Sequence, residues 1–241
     1  MAFPIPSSGL AVIGPRLWSL RLFYQQPGGP IGQAVHVDGA WSQAPSTFSA
    51  VPLSPLAAIT WNTGKEVSTP HVSILDQASR VSRWIRAYYL DEQYIVQEYC
   101  FTEGHGWYKG QTGELKAKAS PQSRLGAIIY HHEGHNHIRV YYQGEYHLSQ
   151  PRHSFVETAE EDKTHVVREL AYDGKWHMGE MQIKNAIEGT GIASVTYIAN
   201  AQRQIRVYYQ SPDLLLREYC HNNKGWFAGK FTGHVCPHSG H

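Results

Sequence analysis

The chain is predicted to be all-β, a β-propeller of about four recognisable four-stranded blades. Three observations carry this. A strand-like hexapeptide, Ile138 through Gln143 (Ile-Arg-Val-Tyr-Tyr-Gln), returns unchanged at Ile205 through Gln210, with looser copies at Ile85 through Tyr89 and Leu20 through Tyr24. A second block follows each copy, with Glu98, Glu169 and Glu218 leading to Gly106-Trp107, Lys175-Trp176 and Gly225-Trp226. The four arginines Arg21, Arg86, Arg139 and Arg206 lie 65, 53 and 67 residues apart, a blade-like period.

Each unit reads as strands in order. Short apolar segments at 56–61, 125–130 and 192–197 open three of the units and are rich in β-branched and aromatic residues. The arginine segment alternates, and Ser211-Pro212-Asp213 is a turn before the alternating 215–220 segment. The Gly-Trp segment supplies the fourth strand. A helix is compatible with 75–84, and loop insertions are expected near 62–83 and 144–165. A β-sandwich also has many short strands, but does not require Arg, Glu and Trp to return in each unit. One domain over 1–241 is expected.

Composition narrows the function. Lys plus Arg number 21 and Asp plus Glu 20, so the near-neutral chain has no long-range field to attract nucleic acid or an anionic membrane. No stretch approaches the roughly 18 apolar residues of a membrane-spanning helix. The N-terminus lacks a basic segment followed by an apolar run, so a cytoplasmic or non-classically secreted protein is expected. Three cysteines cannot all pair within one chain, which favours reduced thiols, with Cys100 and Cys220 as small core residues.

Arg and Glu inside strands are unusual, because β-propensity and burial favour other residues. One such pair means a structural ion pair. Three pairs, each with a Trp at a matched offset, describe a sugar site. The guanidinium donates and the carboxylate accepts hydrogen bonds from vicinal hydroxyls, and the indole covers the C–H face of a pyranose. Repetition raises avidity on a glycan-coated surface.

These segments resemble the repeat of fungal fucose-specific lectins of the Aleuria aurantia type, over about 20–231. The resemblance implies a non-catalytic, multivalent lectin without cofactor, binding L-fucose and fucosylated glycans between neighbouring blades. It assigns one site to Arg86, Glu98 and the amide near Gln111, with Tyr172 and Trp176 from the next blade. A second takes Arg139, Glu169 and the amide near Glu180, with His221 and Trp226. A third takes Arg206, Glu218 and the amide near Lys230, walled by Trp41 with Val37 in place of the aromatic. The fourth has Arg21 with Phe101 and Trp107, but Ala34 where the carboxylate belongs, and is expected to bind poorly or not at all. Family members close a ring of six blades, so four repeats imply a four-bladed ring or one completed by another subunit of a homo-oligomer.

Other classes fit less well. Histidines 131, 132, 135 and 137 flank a Glu133-Gly134 turn and read as solvated loop residues without the spacing of a zinc site. A propeller glycosidase needs paired carboxylates in one site, whereas these repeat once per blade. A protein-interaction propeller has no use for an Arg–Glu pair in every blade, although the acidic Glu157, Glu160, Glu161 and Asp162 would serve a partner. Tyr141, Tyr142, Tyr208 and Tyr209 are expected to pack the core rather than stack on ligand.

Overall fold

The structure, a computed structural model, describes residues 9–16, 19–62, 83–147, 163–222 and 224–234. These form four separate four-stranded antiparallel sheets, each a simple meander in chain order. The first sheet comprises β1 (Leu10–Arg16), β2 (Ser19–Gln25), β3 (Pro30–Val37) and β4 (Ala40–Ser49). The second comprises β5 (Ala57–Asn62), β6 (Arg83–Leu90), β7 (Val96–Thr102) and β8 (Gly106–Lys109). β9 (Leu125–His132), β10 (His135–His147), β11 (Lys163–Tyr172) and β12 (Trp176–Ile183) make the third. β13 (Ala193–Ala199), β14 (Gln202–Gln210), β15 (Leu215–Asn222) and β16 (Gly225–His234) make the fourth.

The chain divides into two compact units, residues 1–116 and 117–241. Each holds two sheets, with first strands adjacent: β1 beside β5 and β9 beside β13. In the first unit Ile13, Phe23, Ile31, Leu56, Ile85 and Tyr89 form the core between the sheets. In the second, Ile128, Tyr141, Val167 and Met181 of one sheet meet Ile205 and Val207 of the other.

Tight hairpins set the register. Glu133 and Gly134, between β9 and β10, both have positive φ (49° and 81°), the backbone that a two-residue turn needs to match strand twist. Pairing continues from Gly144 opposite Val166 to His147 opposite Lys163, so the expected 144–165 insertion is largely an extended hairpin. Its remainder, 148–162 with the acidic cluster, lies outside the described residues, as do 63–82. Of the helix expected over 75–84, Arg83 and Trp84 belong instead to β6, and the rest lies outside the described residues. Their pairing with Asn62 and Trp61 satisfies backbone groups that a helix would turn inward.

Buried glutamines fix the links between sheets within each unit. Gln143, fully buried, donates from Nε2 to the Ile187 carbonyl (2.8 Å) and accepts from the Gly189 amide (2.8 Å). Gln25 donates to the Val51 carbonyl at 2.8 Å. Gln143→Leu should therefore leave two partly buried backbone groups without their partner and cost about 1–3 kcal/mol, measured as a lower urea midpoint.

Candidate functional site

The strand register assembles the polar groups. On β10 and β11, Arg139 lies opposite Ala171 and Tyr141 opposite Glu169, so the four side chains share one face, Arg and Glu on a diagonal. Arg86 with Glu98, and Arg206 with Glu218, repeat the arrangement, with Cys100 and Cys220 as the small residues opposite each arginine. Both cysteines are buried and unpaired, as expected. Nε of Arg86, Arg139 and Arg206 approaches the facing carboxylate at 3.5, 3.5 and 3.3 Å. Each arginine also bonds back to the preceding carbonyl through Nη1, at 2.9–3.0 Å. Tyr88 and Tyr208 donate to Glu98 and Glu218 at 3.2 Å, and Tyr141 is fully buried, which places these rings in support of the site rather than in it.

The closing glycine of the Gly-Trp segment is a spatial necessity. A Cβ on Gly110, Gly179 or Gly229 would stand 2.1–2.2 Å from an oxygen of Glu98, Glu169 or Glu218. A second requirement escaped the sequence reading. An aromatic ring near the end of three of the opening strands lies under the guanidinium: Trp61 at 5.1 Å, Tyr130 at 5.5 Å and Tyr197 at 5.5 Å. These rings end the apolar segments already noticed, and their equal offsets were the available signal.

The second unit holds one complete junction. Trp226 stacks on Tyr219 (5.7 Å, 8°), meets Tyr141 edge-on (6.4 Å) and has His221 at 5.0 Å. Arg139, Glu169, His221 and Trp226, the residues named for this site, line one cavity of about 180 Å³. That is below the roughly 300–1,000 Å³ of drug-sized pockets and suits a single small ring. Tyr130, Asp173, His177 and Glu180 join its lining. Glu169 Oε1, the oxygen that Arg139 Nε approaches at 3.5 Å, is buried and has no closer hydrogen bond among the described residues.

Asp173 was not anticipated, because only this unit has an acid after the wall aromatic. It receives Arg139 Nη1 (2.9 Å) and His177 Nε2 (3.0 Å), and faces His137 Nδ1. Of the histidines read as solvated, His131, His132 and His135 are exposed, while His137 is half-buried against Tyr130 and Asp173. Burial disfavours the Asp173 anion, but bonds from His137 and Arg139 outweigh it and hold the carboxyl at about 2.

Arg21, Phe101 and Trp107 meet in the first unit, with the guanidinium 6.0 and 5.9 Å from the two rings. The register corrects two assignments here. Gln33, opposite Phe23, holds the position of the glutamates, and Ala34 lies one residue beyond it. His36, opposite Trp41 and 5.0 Å from it, holds the wall position assigned to Val37. The first repeat lacks the glutamate that marks the position, and strand pairing identifies its equivalents as Gln33 and His36, each one residue before the assigned one.

The residues assigned to the other two candidate sites are divided between the two units. Arg86 and Glu98 lie in the first unit, and Tyr172 and Trp176, 5.5 Å apart, in the second. Arg206 and Glu218 lie in the second unit, and Trp41, 55% exposed, in the first.

Burial raises the Glu169 carboxyl to about 7 against the opposing pull of Arg139. Burial and nearby Arg139 lower the pKa of His221. As pH falls from 8 to 5.5, Glu169 takes up a proton and ceases to be a full acceptor. A ligand needing that acceptor should bind about 30-fold more weakly at pH 5.5 than at pH 8, and Glu169→Gln should flatten the profile. Stability moves the other way. The folded pKa exceeds the ordinary value, so this group favours folding in acid and loses that contribution as pH rises through about 7.

The family profile described as fungal fucose-specific lectin matches residues 71–238. The chain belongs to the fungal fucose-specific lectin family. Curated members include the fucose-specific lectin of Aleuria aurantia, 27% identical over 218 residues, and that of Aspergillus fumigatus, 26% identical over 219. In each comparison 88% of this chain is covered, and the chain spans 58% of the length of the relative. The solved Aleuria aurantia lectin, described as a six-bladed β-propeller, superimposes with a TM-score of 0.74 at 24% identity, over 98% of this chain and 67% of that one. A variant of that lectin in complex with Fucα1-6GlcNAc gives the same score at 25% identity, over 98% of this chain and 66% of that one. The four sheets of this family member are thus propeller blades.

Proposed function

We propose that this lectin binds L-fucose and fucosylated glycans without transforming them, at junctions between neighbouring blades. One observation carries the reading: the Arg139–Glu169 pair and Trp226 line a single cavity of about 180 Å³. Arg139 supplies charge-assisted donors, Glu169 an acceptor, and Trp226 an apolar face held by Tyr219. Fucose, rather than another hexose, is supported by the fucose-specific relatives and by the lectin solved with Fucα1-6GlcNAc. The pairs at Arg86 and Arg206 supply the polar halves of further sites, and several weak sites gain avidity on a glycan surface. Titration with α-methyl-L-fucoside should show fewer sites after Arg139→Ala with Glu169→Gln. Unchanged stoichiometry would refute the assignment.

A propeller glycosidase is the second reading, favoured by one feature. Glu169, raised to about 7, and Asp173, held at about 2, line the same cavity, the division expected of a proton donor and an ionised partner. Asp173, however, is engaged by Arg139 and His177, which fits a positioning role. Release of nitrophenol from p-nitrophenyl α-L-fucoside, lost in Glu169→Gln, would establish the enzyme; the lectin reading expects none.

A further inference from the structure

Four arginines share one register position, and three of them face a glutamate. Arg21 alone faces an amide, Gln33. Two further differences accompany it. Phe23 replaces the tyrosines at 88, 141 and 208, removing the hydroxyl that elsewhere serves the carboxylate. Ala44 pairs with Gln33 where the other blades carry Gly110, Gly179 and Gly229, which leave room for a glutamate. Arg21 accordingly bonds Gln33 through Nη1 rather than Nε. Its Nε, the atom that meets a carboxylate in the other blades, is buried without a partner among the described residues.

The aromatic frame is nevertheless intact. Trp107 stacks on Tyr99 (5.5 Å, 14°) and meets Phe23 edge-on (6.0 Å), as Trp226 does with Tyr219 and Tyr141. A second guanidinium, Arg83, lies 5.2 Å from the centre of the Phe101 ring that Arg21 also approaches. Glu103 accepts from the Arg83 amide at 3.2 Å. At the junction in the second unit Glu169, Asp173 and Glu180 line the cavity beside Arg139. Burial, and then repulsion from Arg83, bring Arg21 down to about 10, so an added anion would relieve the site.

We propose that the junction of Arg21, Phe101 and Trp107 binds a carboxylated pyranose, not a neutral one. The guanidinium fork matches a carboxylate in two parallel bonds, and the two rings cover the C–H face of the sugar. This rests on the preceding reading only for the use of the aromatic wall, and it gives one lectin two charge preferences.

The test titrates the full chain with methyl β-D-glucuronide, the α-methyl glycoside of N-acetylneuraminic acid, and neutral methyl β-D-glucoside. At least one acid should bind, at least tenfold more tightly than the neutral glucoside, and binding should weaken as salt is raised. The acid that binds identifies the source of the carboxylate. Arg21→Gln should remove the binding, with thermal unfolding confirming that the variant is folded. Gln33→Glu, which supplies the missing internal carboxylate, should remove it too. Failure of both acids to bind, or binding that survives either substitution, would overturn the proposal. Fucoside stoichiometry unchanged by Arg139→Ala with Glu169→Gln would instead refute the preceding reading and leave this one standing.

Discussion

Arg139→Ala is expected to weaken α-methyl-L-fucoside binding at its own junction by about 10²-fold. The substitution removes charged donors worth roughly 1.5–3 kcal/mol each, and a factor of ten corresponds to about 1.4 kcal/mol. Stability should suffer less than a buried ion pair suggests. Removing one partner of such a pair costs about 3–5 kcal/mol when the other stays charged. Glu169 already titrates at about 7 with Arg139 present, so without the cation it takes up a proton and avoids an uncompensated buried charge. Asp173 loses the Nη1 bond but keeps His137 and His177. A cost of about 1–2 kcal/mol at pH 7 follows, seen by chemical denaturation, with binding followed by calorimetry. A fucoside affinity unchanged at this junction would remove the arginine from the site.

Gly179→Ala should do comparable harm by adding one methyl group. The new Cβ would lie 2.2 Å from Glu169 Oε2, 2.6 Å from Cγ and 2.7 Å from Cδ, atoms near the root of a buried side chain. The carboxylate must move, at about 1–3 kcal/mol for an overpacked core, and the acceptor moves with it. Blade one shows the natural counterpart, with Ala44 opposite a glutamine that bonds a different nitrogen of its arginine. Gly174 is a useful contrast: nothing stands within 4 Å of its added Cβ, so alanine there meets only the strain of its positive φ, 87°. Fucoside titration should show Gly179→Ala losing the site and Gly174→Ala keeping it. Retained binding in Gly179→Ala would mean that Glu169 does not act from the observed position.

The blades were legible because a repeated chemical requirement leaves a repeated word. Arg, Glu and the Gly-Trp segment return at fixed offsets, since each sheet must present the same groups on the same strand faces. What escaped was whatever occurs once or is carried by space rather than by residue type. Asp173 has no counterpart in Thr102 or Asn222, so no periodicity pointed to it. Blade one misled by one residue because it lacks the glutamate that anchors the count, and only strand pairing shows Gln33 and His36 in the equivalent places. The rings of Trp61, Tyr130 and Tyr197 read as strand-formers, and their second role under the guanidinium emerges from distance alone. The polar 144–165 stretch read as a loop although its ends pair as strands through His147 and Lys163.

The most direct measurement is a crystal structure of the chain soaked in α-methyl-L-fucoside. The sugar should lie in the unit-two cavity with its C–H face against Trp226 and its hydroxyls bonded to Arg139 and Glu169. A fully soaked crystal with the sugar bound elsewhere and this cavity vacant would contradict the account.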